Sequence, residues 1–406
     1  MWTDTRPPAE LPKLFERGAD VISLAGGLPD LDVLPLDEIS AQLGRLVRLG
    51  GRLALQYTTP HVAKSLVPAV ADLMGREGGR ADADNLIPTS GSQMGLTAVA
   101  LALGAPGDTI LTQTPAYPGA TAAFRTAGLL PHAAPEDAEG LDPAGLRRVV
   151  AELRAAGRTV RLLYTNPTFQ NPTGATLAVP RRAEVLAACR ELDLLLVEDN
   201  PYGLLGFDGT TTTLFQALDP ERVVYLGTFS KIFAPGLRSG WIAAPAHLRH
   251  DLGRVAEIIS LSPSALAQGA LAAYHSRSGW DTLIDRYRDS YRERCALMAD
   301  ALEAELGADS PWHWQRPGGG FYLWLRHRDR ADAGPYARAA ADRGVSVVPG
   351  GHFSIDGEHA HGLRLCFSNV PRKKIAEAVG RLSAALTEPS LTEPSSVGRE
   401  LAEVAG

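Results

Sequence analysis

The segment Val223–Trp241, with the sequence VVYLGTFSKIFAPGLRSGW, joins a short apolar run to a polar stretch in a chain of 406 residues. The apolar run predicts a buried strand, so the polar residues follow its carboxyl end, where open α/β sheets bind ligands. Lys231 stands here beside Ser230, with Arg238 seven positions later. An amine can condense with an aldehyde while hydroxyls and a guanidinium hold a phosphate dianion. The segment therefore predicts a covalent cofactor site, the alternative being an exposed lysine in a surface loop.

Other apolar runs alternate with helical patterns between residues 57 and 273, and they cover 109–111, 160–164, 194–197 and 241–243. This alternation indicates βαβ units, hence an α/β fold with a large domain whose mainly parallel sheet is covered by helices. Later short strands, predicted at 321–325, 345–348 and 363–367, precede a helix at 372–386 and indicate a smaller α+β domain. We predict an N-terminal arm and part of the small domain at 1–45, the large domain at 46–275, the small domain at 276–390 and a flexible tail at 391–406.

Composition excludes several other classes of protein. The formal net charge is −6 without a basic block, which argues against a nucleic-acid surface. No apolar run approaches the ~20 residues of a membrane span, and residues 1–10 do not form a signal peptide. The three cysteines, Cys189, Cys295 and Cys366, are widely spaced and odd in number, so a disulfide framework is not expected. We therefore expect a cytoplasmic protein without nucleic-acid or membrane partners.

An acid and a tyrosine follow a second predicted strand, at residues 194–197. Asp199 comes directly after this run and Tyr202 three residues later. A carboxylate here can keep a heterocyclic nitrogen protonated, while the tyrosine donates to a ring oxygen. The alternative for Asp199 is a helix N-cap, and Glu198 is a neighbouring competitor that we reject because of the spacing to Tyr202.

Two further strands also end in polar turns. Asn171 lies in the Asn-Pro and Thr-Gly turns after residue 164; it can bind a cofactor oxygen and a substrate carboxylate, or belong to an ordinary loop. Ser92 and Gln93 open an amphipathic helix, where backbone amides and hydroxyls can bind phosphate. The alternative for this second turn is a simple helix cap.

These motifs, in this order, resemble the fold-type I pyridoxal-5′-phosphate (PLP) aminotransferases of classes I and II, in particular the branch of 2-aminoadipate and aromatic aminotransferases. The resemblance covers residues 21–386. It implies that the large domain binds PLP and that an amino group moves between an L-amino acid and a 2-oxo acid by a ping-pong aldimine/ketimine mechanism. It also implies a homodimer with shared active sites.

The resemblance implies a role for each residue. Lys231 would hold PLP as a Schiff base and move the substrate proton, with Asp199 on the ring nitrogen. Tyr202 and Asn171 would bind the ring oxygen, and Tyr117 would stack on the ring unless it is only a core aromatic. The phosphate would be held by Ser92, Gln93, Thr228, Ser230 and Arg238. The substrate carboxylate would meet Arg364, Asn171 and the backbone of Gly27.

Tyr57 matches the tyrosine that dimers of this family extend to the partner's phosphate, although the residues after it depart from the family pattern. Two other signals are discounted. Gly318–Gly320 precedes a predicted strand and opens no helix, so it is not a dinucleotide fingerprint. His359 and His361 lie in a polar loop without a helical HExxH setting, and no metal site is predicted.

Two other functions stay open from the sequence. Another PLP-dependent reaction, such as elimination, decarboxylation or oxidation, can use the same fold. A regulator with an aminotransferase-like sensor domain is disfavoured, because such proteins carry a basic winged-helix domain ahead of it. Here about twenty residues precede the turn at Gly26–Pro29.

Overall fold

The computed structural model describes residues 20–58 and 60–387, with the backbone alone at 60–62. Its strands are β1 (Ile22–Ser23), β2 (Leu86–Thr89), β3 (Thr109–Thr112), β4 (Leu130–Ala133), β5 (Glu136–Asp137), β6 (Gly140–Leu141), β7 (Val160–Thr165), β8 (Leu195–Asp199), β9 (Val223–Thr228), β10 (Gly240–Ala243), β11 (Trp312–His313), β12 (Tyr322–His327), β13 (Val345–Ser346), β14 (Val348–Pro349) and β15 (Gly362–Cys366). Its helices are α1 (Leu36–Gly50), α2 (Pro60–Ser65), α3 (Val67–Gly75), α4 (Ser92–Leu103), α5 (Pro118–Thr126), α6 (Pro143–Ala155), α7 (Val179–Glu191), α8 (Phe215–Leu218), α9 (Ala246–Ser260), α10 (Ala265–Ser278), α11 (Asp281–Leu306), α12 (Gly334–Asp342) and α13 (Arg372–Thr387).

A seven-stranded sheet in the order β2-β10-β9-β8-β7-β3-β4 forms the centre of the large domain. Every strand is parallel to its neighbours except β10, which is antiparallel to both β9 and β2. The reversal follows from the chain between β9 and β10, because these residues contain no crossover helix that could bring the strand back in parallel. The predicted mainly parallel sheet is confirmed.

Both faces of this sheet are covered by helices. Leu96, Phe124 and Leu252, from α4, α5 and α9, pack with the strand residues of one face. Leu146 and Leu186, from α6 and α7, pack with those of the other. Because the central strands β8, β9 and β10 are buried on both sides, they are mainly apolar.

Side-chain caps fix where some of these helices begin. The Asp142 carboxylate accepts a hydrogen bond from the Ala144 amide at the start of α6. Ser264 accepts one from the Ala267 amide at the start of α10. Such caps satisfy amides that have no partner within the helix. In the described part of the chain, every helix is too short or too polar to cross a bilayer.

The small domain contains an antiparallel sheet in the order β11-β12-β15-β14, packed against α11, α12 and α13. Strand β1 pairs in parallel with β13, with Ile22 opposite Val345, so the N-terminal strand belongs to the C-terminal part of the fold. The single strand predicted at 345–348 is wrong, because it is divided into β13 and β14, which pair with different strands.

Two of the predicted domain limits fall inside helices of the structure. The limits at 45/46 and 275/276 fall within α1 and α10, two continuous helices that pack against each other. A domain boundary belongs in an exposed connection and not inside a packed helix. The predicted tail at 391–406 and most of the N-terminal arm lie outside the described residues.

Candidate active site

A cavity of about 380 Å³ lies at the carboxyl ends of the large sheet, and residues of the small domain line its other side. Strands β2, β3, β7, β8 and β9 each end in a turn that contributes to it, because parallel strands present their carboxyl ends at the same edge. Every residue predicted for the site lines this cavity except Tyr57. Turns far apart in sequence therefore meet at one place.

Lys231 lies in the connection from β9 to β10, and its side chain is only partly buried by surface area. Its Nζ donates to the Gly27 carbonyl oxygen at 2.7 Å and lies 5.5 Å from the centre of the Phe321 ring. Burial lowers the pKa of the amine to about 8, an effect that nearby Arg364 and Arg238 reinforce. The alternative of an exposed surface lysine is wrong, and the amine is neutral for an appreciable fraction of the time near physiological pH.

The Asp199 carboxyl group ends β8 in a buried position. Its Oδ2 accepts a hydrogen bond from the Tyr164 hydroxyl at 2.9 Å, while Oδ1 is buried without a hydrogen-bond partner among the described residues. Burial raises the pKa to about 6, opposed by Tyr164 and by the charge of Lys231. A buried acceptor without a partner is costly, so Oδ1 fits a protonated ring nitrogen held in the cavity.

Glu198 points away from this cavity and has a structural role. Its two oxygens accept hydrogen bonds from the Phe215 and Gln216 amides at the start of α8, and it lies 3.6 Å from Arg182. Neither carboxyl group is a helix N-cap, because the N-cap residue of α8 is Leu214 and Glu198 binds the helix amides from strand β8. The spacing argument that selected Asp199 identified the carboxyl group that lines the cavity.

Asn171 and Tyr202 contact side chains that the sequence did not single out. The backbone N–H of Asn171 donates to Asn166 Oδ1 at 2.8 Å, and Asn166 Nδ2 donates to the Asp199 backbone carbonyl at 2.6 Å. The Tyr202 and Tyr322 hydroxyls are 3.2 Å apart. Asn166 lies in the same polar turn as Asn171, so that turn was a usable signal. Tyr322 lies within an apolar strand, where no local signal distinguishes it.

The start of α4 has the features of a phosphate site. Gly91 precedes the helix with φ +86°, and a Cβ there would lie 2.6 Å from Arg238 Nη2. The backbone of Arg238 also has a left-handed conformation, with φ 46°. Among the described residues, its guanidinium donates hydrogen bonds only to the carbonyl oxygens of Ser90 and Pro235. Thr228 and Ser230 add two hydroxyls to the same wall. Helix amides, hydroxyls and a cation without an anionic partner suit a phosphate dianion.

Tyr117 and Gln93 are joined by hydrogen bonds on one wall of the cavity. The Tyr117 hydroxyl donates to Gln93 Oε1 at 3.2 Å, and Gln93 Nε2 donates to the Gly119 carbonyl at 2.7 Å. A Cβ on Gly119 would overlap the Tyr117 ring. The ring is therefore held in place, as a stacking platform for a planar group requires.

Arg364 is buried in β15, and its guanidinium lies between two aromatic rings. It is 4.5 Å from the centre of Tyr322 and 5.0 Å from that of Phe353. Its nitrogens donate to Asn171 Oδ1 at 2.8 Å and to the Ala25 carbonyl, while Nε has no partner among the described residues. A buried cation facing a cavity without a carboxylate partner fits a carboxylate ligand.

Tyr57 is 69% exposed and lies near Ser262 and Pro263, outside the cavity. Within one chain it contacts none of the predicted phosphate residues. Its assigned role requires a second subunit and stays a prediction.

Comparisons with known proteins find similar aminotransferases. A family model described as aminotransferase class I and II matches residues 19–382. The aromatic-amino-acid aminotransferase 1 of Thermococcus litoralis is 36% identical over 93% of this chain and 91% of that protein. A kynurenine aminotransferase of Pyrococcus horikoshii, solved with PMP, has a TM-score of 0.85 and 32% identity, covering 92% of each chain. An α-aminoadipate aminotransferase of Thermus thermophilus, complexed with N-(5′-phosphopyridoxyl)-L-leucine, has a TM-score of 0.85 and 31% identity, covering 94% of this chain and 95% of that one.

Proposed function

Because the chain belongs to the class I and II aminotransferases, and so transfers amino groups with PLP, we propose that Lys231, Asp199 and Arg364 make the essential contacts of that reaction. The observation that carries this assignment is their convergence on one cavity from β9, β8 and β15. Lys231 offers an amine of lowered pKa to an aldehyde. Among the described residues, Asp199 Oδ1 has no partner and Arg364 has no carboxylate partner, so they can bind a ring nitrogen and a substrate carboxylate.

Each residue has one task in this assignment. When bound, PLP supplies an electron sink that stabilises negative charge at the substrate α-carbon. Asp199 keeps a positive charge on the ring nitrogen. Lys231, once its amine is free, would take the proton from the substrate α-carbon and donate it to the cofactor carbon that carries the aldehyde. Arg364 orients the substrate through its carboxylate, and Tyr202 and Asn171 hold the ring oxygen.

The phosphate and the ring face are assigned to the large domain. We assign the ring face to Tyr117, which Gln93 holds in place. The phosphate is assigned to the start of α4 and to the β9–β10 connection, through Ser92, Gln93, Thr228, Ser230 and Arg238. Gly27 contributes two backbone groups to the site. Its carbonyl oxygen accepts a hydrogen bond from Lys231, and its amide is assigned to the substrate carboxylate.

The lowered pKa of Lys231 predicts how fast the apo-protein takes up PLP at different pH values. Only the neutral amine attacks the aldehyde, so the rate constant should rise about tenfold per pH unit and level off above about 8. Stopped-flow absorbance measures this directly. A rate constant independent of pH between about 6 and 8 would contradict the assignment.

Replacing Arg364 by Lys should lower kcat/KM for the amino donor by about 10- to 100-fold, because an ammonium cannot reproduce the two-pronged contact. PLP affinity should stay unchanged, since Arg364 is not assigned to the cofactor. Arg372→Lys is the matched control, because Arg372 forms an exposed ion pair with Glu293. Loss of PLP affinity in the Arg364 variant would show that the residue serves the cofactor instead.

We also propose that the donor has a large apolar side chain. The remaining wall of the cavity is mainly apolar and includes Leu28, Pro29, Pro118, Val348 and Phe353. The charged side chains lining it in the described part of the chain are Asp199, Lys231, Arg238 and Arg364, and each already has a task. An acidic side chain such as that of 2-aminoadipate would need another cation, for which Arg6 and Arg17 lie outside the described residues.

Phenylalanine and leucine should therefore convert bound PLP to pyridoxamine phosphate at least about tenfold faster than 2-aminoadipate does, since an unpaired carboxylate is costly to bury. Absorbance changes under single-turnover conditions measure each rate, with 2-oxoglutarate or pyruvate as acceptor in the return reaction. Equal rates for the acidic donor would contradict an apolar specificity.

A homodimer is proposed from the exposed apolar surface around Tyr57. Leu53 is 74% exposed and Leu261 66% exposed, and the Thr58 amide donates to the Ser262 hydroxyl, which joins the two segments. Contiguous exposed apolar surface is typical of interfaces. In such a dimer Tyr57 would reach the phosphate site of the partner subunit, and sedimentation equilibrium of the purified protein tests the association.

Domain limits and location are proposals as well. We propose a small domain of residues 20–35 and 281–387, with the large domain between them, because these limits fall at the start of α1 and at the start of α11. A cytoplasmic location is supported by Cys189, Cys295 and Cys366, which are buried and free.

A further inference from the structure

A buried carboxyl group lies directly beneath the turn that carries Asp199 and Tyr202. Glu77 follows α3 and is 3% exposed, and it lines no part of the cavity. Asn200 Nδ2 donates to Glu77 Oε1 at 3.0 Å and to Oε2 at 3.1 Å. The Glu77 carboxyl group thus holds Asn200, which lies in sequence between the assigned cofactor residues Asp199 and Tyr202.

The turn also packs on this carboxyl group. A Cβ on Gly203 would overlap Glu77 Oε1 and lie 2.5 Å from Asn200 Nδ2. The backbone N–H of Asn200 donates to the Leu226 backbone carbonyl at 3.1 Å, and the backbone carbonyl of Glu77 accepts from the Leu214 backbone N–H at 3.1 Å. The turn is therefore fixed to strand β9 on one side and to Glu77 below.

We propose that Glu77 is a positioning residue for transamination, acting through Asn200 on Asp199 and Tyr202. This inference rests on the roles proposed above for those two residues. A side chain that orients Asp199 and Tyr202 determines how well these two residues fit the reacting groups. Small displacements of residues in an active site lower the reaction rate strongly.

The charge state of Glu77 suggests how to test it. Burial raises the pKa of this carboxyl group to about 8, with Asn200 opposing the shift and Glu198 adding to it, so the group is mostly neutral near pH 7. A neutral carboxyl group, or the amide of glutamine, can also donate to Asn200 Oδ1, which is buried without a partner among the described residues. Replacing Glu77 by glutamine should therefore preserve the contact with Asn200, and replacing it by leucine should remove that contact.

In the holoenzyme, Glu77→Leu should lower kcat by about 10- to 100-fold with KM changed less than about threefold, because Arg364 is untouched. Glu77→Gln should keep kcat within about threefold. Gln216→Leu is the control, since Gln216 is a buried residue that binds the backbone of Arg80 and does not contact the turn. Its kcat should stay unchanged even if its thermal stability falls.

Hydrogen exchange in the apo-protein separates this proposal from the assigned reaction. The peptide covering residues 199–207 should exchange faster in Glu77→Leu and at the wild-type rate in Glu77→Gln. If Glu77→Leu does not fold, Asn200→Ser removes the same contact from the other side and should give the same loss of kcat. Unchanged exchange in both variants that lack the contact, or a kcat like that of Gln216→Leu, would overturn the proposal. A wild-type protein without transamination would instead overturn the proposed roles.

Discussion

Replacing Lys231 by Ala should lower kcat by at least about 10⁴-fold, because the variant lacks both the amine that binds the aldehyde and the group that moves the proton. In wild-type protein, borohydride reduction in the presence of PLP should attach the cofactor to the peptide that contains Lys231. Mass spectrometry should find no such product in the variant.

Lys374→Ala is the matched control, because Lys374 is an exposed lysine of α13. It should retain full activity and full labelling of Lys231. If Lys231→Ala kept more than a small fraction of the wild-type kcat, the assigned amine would be wrong, even if mass spectrometry found no labelled peptide in the variant.

Replacing Asp199 by Asn should lower kcat by about 10²- to 10³-fold, comparable to the loss of a preorganised electrostatic contact in other active sites. An amide carries no charge to keep the ring nitrogen protonated, although it can preserve the hydrogen bond from Tyr164. Presteady-state kinetics with a good donor should place the loss in proton transfer and not in donor binding.

Glu198→Gln separates this effect from the loss of a buried charge. Glu198 also lies in β8 and is fully buried, but it holds the start of α8. Its variant should be less stable because Arg182 loses its charged partner, while kcat stays within a few-fold of wild type. Equal losses of kcat in the two variants would show that Asp199 acts through the fold alone.

Much of the site could be predicted because each functional turn follows an apolar strand. Asp199 is the last residue of such a strand, Lys231 and Asn171 stand a few residues after one, and the parallel sheet brings these ends together. The antiparallel direction of β10 was not predicted, since an apolar run carries no sign of its direction.

The residues that were missed act through long-range contacts. Tyr164, Tyr322 and Glu77 lie in apolar or helical contexts, and their importance depends on what the fold places beside them. Residues far apart in sequence approach each other only after the sheets and helices have packed. The spacing of residues along the chain cannot indicate such contacts. The same holds for Tyr57, whose assigned contact would lie in a second subunit.

The pairing of β1 with β13 has a consequence for synthesis on the ribosome. Val345, the partner of Ile22 in this pairing, is made about 320 residues after it. At translation speeds of about 5–20 residues per second, the N-terminal strand waits on the order of tens of seconds for its partner. The large domain can assemble during that interval. Gly27, which follows this strand, can reach Lys231 in its final position only after β13 has been made, so a nascent chain that ends before Val345 should bind the cofactor poorly.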